Sequence, residues 1–195
     1  MPACAAPSDE ELMLAYAAGD ASAFDALYER HKGGVYRYLL RQCRHAGVAD
    51  ELFQDVWMNL IRARTGYAPT AKFTTWLYRL AHNRLIDHYR ASSVATLVSA
   101  DDDAHADAVA AIPADGGDEP NIRAENRELG ERLKNAVAAL PSAQRQAFLL
   151  HQEGGLSLAE IAELTGAGVE TVKSRLRYAM NKLRSDLSDL YEPQR

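Results

Sequence analysis

Five of the six charged side chains between Glu170 and Arg184 are cationic: Lys173, Arg175, Arg177, Lys182 and Arg184. Such groups hold phosphates, and guanidiniums also contact base edges in bidentate fashion. A second set, Trp76, Arg79, Asn83 and Arg90, follows i, i+3, i+7, i+14, which on a helix lies within about 60° of arc. An aromatic ring, an amide and two guanidiniums on one face suit unstacked bases, because a ring replaces lost base stacking for about 1–3 kcal/mol while arginine holds the backbone. The same pattern fits a packed core in which Trp76 and Tyr78 are simply buried. A third set, Glu51 and Asp55 at i, i+4, has the spacing of metal ligands or an acid/base pair. Metal chemistry needs further ligands, and neither a Glu-x-x-His nor a His-Glu-x-x-His pattern occurs. With Gln54 and Met58 these carboxylates fit a protein-docking face, or equally a solvated one. No catalytic residue, metal site or cofactor is expected, and no Walker-type phosphate loop is present.

The elements that position these side chains are all helical. Ser157 three residues before Glu160 opens LSLAEIAELTG with a capping-box pattern, and Gly166 and Gly168 supply a tight turn into GVETVKSRLRYAMNKLRSDL. That is a helix-turn-helix pattern. In its second helix, steps of about 100° place Val172, Leu176, Ala179, Met180 and Leu183 on an apolar stripe. Glu170, Thr171, Ser174, Arg177, Tyr178 and Asn181 point the other way, and Lys173, Arg175, Lys182 and Arg184 flank them, within reach of phosphates beside a major groove.

Residues Ser8 to Arg90 read as four helices. Ser8 with Glu11 caps a first helix ending at Gly19, and Ser22 caps a second that ends near His45–Gly47, weakened midway by Gly33-Gly34. A third, from about Val48 to Arg64, turns Leu52, Val56 and Leu60 inward with Phe53, Trp57 and Ile61 beside them. After the loop TGYAPTAK, a fourth carries Leu77, Ala81 and Leu85 on its buried side.

Net charge of −5 argues against nucleic-acid binding, but the charge is segregated. DDDAHADAVAAIPADGGDE, residues 101–119, holds seven acidic side chains and no Lys or Arg. A stretch so polar cannot offset its ordering entropy by burial, so residues 91–120 are expected to form a flexible acidic linker between small helical domains at 8–90 and 121–190. The rest of the chain is then mildly basic. No signal peptide or membrane-spanning run is evident, so a cytoplasmic protein without membrane insertion is expected. Cys4 and Cys43 are too few for a disulfide framework or zinc site.

Three strings, DELFQDVWMNL, FTTWLYRLAHNRLIDHYR and LPSAQRQAFLLHQEGGLSLAEIAELTGAGVETVKSRLRYAMNKLR, occur in the order and spacing of a known family. The chain resembles bacterial RNA polymerase sigma factors of the extracytoplasmic-function group over about Phe24 to Arg184, the linker excepted. The resemblance implies an all-α protein of two small helical domains, regions two and four, that holds core RNA polymerase and recognises the upstream and downstream elements of promoter DNA. It assigns Asp50, Glu51, Gln54, Asp55 and Met58 to polymerase binding. It assigns Trp76, Arg79, Asn83 and Arg90, with the loop from Gly66 to Thr75, to melting and reading the downstream element, Asn83 and the loop holding a flipped base. Thr171, Lys173, Ser174, Arg175, Arg177, Tyr178 and Asn181 then face the upstream element. Many relatives carry Arg where this chain has Tyr178 and Met180, which leaves fewer guanidiniums for guanine contacts. The resemblance further implies an anti-sigma factor as partner, no covalent chemistry by this chain, and a linker that threads the polymerase channels.

A regulator that binds DNA without polymerase would also carry the C-terminal motif, yet gives the Trp76–Arg90 face no role. A helical adaptor would explain the acidic patch but not the basic helix.

Overall fold

The computed structural model describes residues 6–98 and 120–188. Among these the chain is all-α, with α1 (Asp9–Ala17), α2 (Ala21–Cys43), α3 (Ala46–Ala63), a 3₁₀ turn (Arg64–Gly66) and α4 (Phe73–Val98) in the N-terminal half. The C-terminal half contains α5 (Pro120–Ala138), α6 (Ser142–Gly154), α7 (Leu158–Thr165) and α8 (Val169–Asp186).

Local chemistry sets most helix ends. Ser8 and Glu11 form the expected reciprocal capping box on α1, and Ser157 and Glu160 do the same on α7. Helix α2 is capped by Asp20 rather than Ser22: the Asp20 carboxylate accepts from the Ser22 backbone N–H at 3.0 Å and from its hydroxyl at 2.6 Å. A carboxylate two residues upstream reaches the first orphan donors better than a hydroxyl already inside the first turn. The His45 ring caps α3 by accepting from Val48 N, which starts that helix at Ala46. Gly155 and Gly166 adopt left-handed φ values of 63° and 66° and stop α6 and α7, conformations that a Cβ would strain.

Helix α4 continues past Arg90 to Val98, so the first residues expected in the linker are helical; residues 99–119, its acidic remainder, lie outside the described residues. The first turn of α4 is satisfied from α1, where Glu10 accepts from Phe73 N at 2.7 Å.

Leu12, Met13, Leu27, Leu39, Leu52, Val56, Leu60, Phe73, Leu77 and Leu85 fill the N-terminal bundle. Leu149, Leu150, Leu156, Ile161, Val172 and Leu183 fill the C-terminal half. The two sets belong to one continuous apolar cluster. Helices α6 and α7 lie against α2 and α4, and Arg44, in a left-handed conformation at the end of α2, donates to Ala138 O at the end of α5. Arg145 donates to the same carbonyl and to Leu140 O, so two cations neutralise the C-terminal pole of α5.

Candidate nucleic-acid and docking interfaces

Helix α8 buries Val172, Leu176, Ala179 and Leu183 and leaves Thr171, Lys173, Arg177, Tyr178 and Asn181 exposed, with Ser174 and Arg175 half-buried. All seven expected upstream-contact residues thus lie on or beside one solvent face. Met180 is a correction: it is 43% exposed rather than part of the apolar stripe. It sits about 80° from Val172 around the helix, well outside the narrow arc set by Ala179 and Leu176. The Arg177 guanidinium lies 5.1 Å from the centre of the Tyr178 ring. Among the described residues, Lys173 and Lys182 pair with residues of their own helix, Glu170 at 3.4 Å and Asp186 at 3.2 Å. Such exposed pairs are weak, so both lysines are easily released toward a phosphate.

On α3, Asp50, Glu51, Gln54 and Met58 are exposed, Met58 by 45%. Burial, followed by the Asp50 carboxylate, raises the Tyr36 pKa. Asp55 stands apart from the others. Its carboxylate is half-buried and accepts from Arg84 Nε of α4 at 2.6 Å, so it braces two helices.

The α4 face is divided. Trp76 is half-buried, its ring centre 5.0 Å from Tyr67 and 5.9 Å from Phe73, because the loop after α3 folds its tyrosine back onto the helix. The exposed aromatic expected from spacing is therefore the edge of an aromatic cluster, and Tyr78 is core. Asn83 is exposed, and with His82, Ile86, Asp87, Arg90 and Leu164 it lines a cleft of about 360 Å³ between α4 and α7. Arg79 points to α7, where Nη2 donates to Glu163 Oε1 at 2.6 Å.

Several residues at this junction carry no signature in sequence. Glu153 at the end of α6 accepts from Arg41 at 2.7 Å and Arg37 at 2.9 Å, its side chain only 9% exposed. The one available hint is that Arg37 and Arg41 stand at i, i+4 on α2. The Tyr78 hydroxyl donates to Glu153 O at 2.8 Å, and Thr75 Oγ1 to Glu160 Oε1 at 2.6 Å. Hydrogen bonds from Ser157 and then Thr75 hold the Glu160 carboxyl down at about 2. No cluster of metal-ligating side chains occurs among the described residues, and none of their helices is long and apolar enough to cross a membrane.

The family model for Sigma-70 region 2 matches residues 27–94, and that for Sigma-70, region 4 matches residues 130–183. The chain is 31% identical to the ECF RNA polymerase sigma factor SigK of Mycobacterium tuberculosis over 92% of its own length and 94% of the relative's. It is 29% identical to the SigK of Mycolicibacterium vanbaalenii over 91% and 88%. Among solved structures, its fold matches the sigma factor RpoE in complex with the anti-sigma factor NepR from Bartonella quintana, with TM-score 0.69 and 21% identity, covering 86% of this chain and 98% of that one. It also matches CnrH in complex with the cytosolic domain of CnrY, with TM-score 0.61 and 22% identity, covering 95% and 100%. The two family models and the 31% identity over 92% of the chain agree: the chain belongs to the extracytoplasmic-function subfamily of sigma-70 factors, the non-catalytic proteins that join RNA polymerase to promoter DNA.

Proposed function

We propose that this sigma factor grips promoters at two points. Helix α8 enters the major groove of the upstream element, with Lys173, Ser174, Arg177 and Tyr178 nearest the bases and Thr171, Arg175 and Asn181 at the walls. The α4 face bearing Arg79, Asn83 and Arg90, with the loop ending at Thr75 and the edge of Trp76, takes the melted downstream strand and captures an extruded base. The outer face of α3, Asp50, Glu51, Gln54 and Met58, docks on core polymerase. Strand opening then draws on binding free energy, and nucleotide chemistry stays with the polymerase.

The observation that carries this reading is the split of α8 into a fully packed apolar edge and an exposed edge that is cationic, aromatic and amide-bearing. An inhibitor that competes for these faces is the second expected partner. The match to RpoE, solved with its anti-sigma factor, supports it.

The test mixes the purified chain with core polymerase and a promoter library and maps transcript starts. Specific initiation that is weakened by Arg177→Ala at the DNA step and by Glu51→Ala at the polymerase step is expected. DNA binding without polymerase association would support an independent regulator, and neither activity would support an adaptor.

A further inference from the structure

We infer that the junction of α2, α5 and α6 is a binding site for the phosphate group of a small anion, gripped by Arg145 from inside and Arg44 from outside. Both guanidiniums donate to one neutral oxygen, Ala138 O at the end of α5, Arg145 through Nη1 at 3.2 Å and Arg44 through Nη2. Arg145 Nη1 also donates to Leu140 O at 3.1 Å. Neither side chain has a carboxylate partner among the described residues. A helix pole carries roughly half a negative charge, so two cations there leave more than one positive charge over. Arg145 is only 8% exposed, and a buried guanidinium is costly unless anions or hydrogen bonds satisfy it. Burial and then the nearby Arg44 charge push the Arg145 pKa down.

The donors left over are the ones a phosphate uses. With Nη1 on the carbonyls, the remaining edge of the Arg145 fork, Nε and Nη2, is the edge that grips an oxyanion in bidentate fashion. Its Nε is buried and has no hydrogen-bond partner. Gln42 Nε2, two residues before Arg44, is a second buried donor without one. Gln42 O accepts from the Tyr89 hydroxyl at 2.9 Å, which ties it to the same place. Burial and then the Cys43 thiol raise the Tyr89 pKa while the Arg145 and Arg44 charges oppose the rise, so that hydroxyl lies beside both guanidiniums. Arg44 is the one described residue other than glycine with a left-handed backbone, at φ 61°. Glycine suits that conformation at a helix end, and an arginine held there is strained. The strained position delivers the second cation. Because both guanidiniums reach one oxygen, they stand within two hydrogen-bond lengths of each other, a gap that one phosphate bridges. A phosphate monoester carries about −1.5 to −2 charges at pH 7, which matches the pair. The inner edge is too enclosed for a duplex backbone, so the group is a free or terminal phosphate. Such a ligand ties the end of α2 to α6 and stabilises the arrangement that brings both arginines together.

Isothermal titration calorimetry of the full chain with pyrophosphate, and then with inorganic phosphate, tests this at constant ionic strength, with acetate as the carboxylate control. The expected result is one saturable pyrophosphate site per chain, about tenfold or more tighter than acetate, as charge-assisted hydrogen bonds to two guanidiniums require. Arg44→Gly suits the left-handed position but removes the outer guanidinium. It should keep the wild-type helix content by circular dichroism and bind pyrophosphate about tenfold more weakly. Arg44→Lys keeps the charge without the fork and should lose about three- to fivefold. A wild type without a saturable site overturns the inference, as does equal pyrophosphate affinity in wild type and Arg44→Gly. Arg177→Ala reports on ions held by α8: a loss of pyrophosphate affinity there, with binding intact in Arg44→Gly, places the phosphate on that helix and also overturns the inference.

Discussion

Arg84 Nε donates to Asp55 Oδ2 at 2.6 Å, so one member of the acidic face of α3 is committed to α4. Asp55 therefore has a structural role that Glu51 and Gln54 lack. The pair is partly exposed, at 26% and 41% for the two side chains, and Asp55→Ala is expected to lower unfolding stability by about 1 kcal/mol or less. Glu51→Ala should stay within about 0.5 kcal/mol of wild type, as exposed substitutions do. Urea unfolding measures both. Polymerase pull-down should then show Glu51→Ala weakened at unchanged stability, and an unimpaired Glu51→Ala would remove α3 as the docking face.

The contact between Arg177 and Tyr178 gives a second expectation. A ring 5.1 Å from the guanidinium restrains the arginine, so on the proposed reading Tyr178 orders Arg177 even where it touches no base itself. Arg177→Ala should cost about 1–3 kcal/mol at one base position of the upstream element and relax preference there. Tyr178→Ala should cost about 0.5–1 kcal/mol. Duplex binding over a set of single-base variants distinguishes them. A uniform loss for Arg177→Ala across all positions would mean a phosphate contact instead.

Periodicity and caps made the individual helices legible, because each depends on residues within a few positions. The box of Ser157 and Glu160, the Gly166 turn and the Val172–Leu183 stripe all lie in that class. Docking of α6 on α2 was not legible. Glu153 meets Arg37 across 116 positions of sequence, a separation that leaves no local pattern. The same limit explains Trp76: its helical angle was correct, but Tyr67, from a loop without periodicity, covers it. Gly34 looked like a local defect because the atoms it accommodates belong to Tyr78 and Glu153.

Capping supplies a third test. Asp20 receives two hydrogen bonds from Ser22, so Asp20→Ala should destabilise more than Ser22→Ala. Reversed magnitudes from urea unfolding would restore Ser22 as the cap. Ser157→Ala should cost about 1 kcal/mol. It should also bring the Glu160 carboxyl back up from about 2, because the Ser157 hydrogen bond is the largest cause of its depression. A carboxylate with a depressed native pKa contributes stability that is complete above its usual 4.5 and is lost as pH falls toward 2. Ser157→Ala should therefore flatten the acid limb of the stability curve in that window.

His82 gives the last prediction, with a window nearer neutrality. Its ring is 6% exposed between α2 and α6, with Nδ1 3.2 Å from Gln146 Nε2 and 3.4 Å from the Tyr38 hydroxyl. The Gln146 amide donates to Nδ1, which requires the neutral ring with its hydrogen on Nε2. Burial lowers the His82 pKa below 6.5. A base with a lowered native pKa takes up its proton more readily when unfolded, so its contribution is complete above pH 6.5 and declines as pH falls below it. The decline is bounded at about 1.4 kcal/mol per pH unit for one proton. Urea unfolding at pH 7.5 and 5.5 should show the wild type losing more stability than His82→Gln, which keeps a polar group without a titration. Equal losses in the two proteins would mean that folding does not lower the His82 pKa.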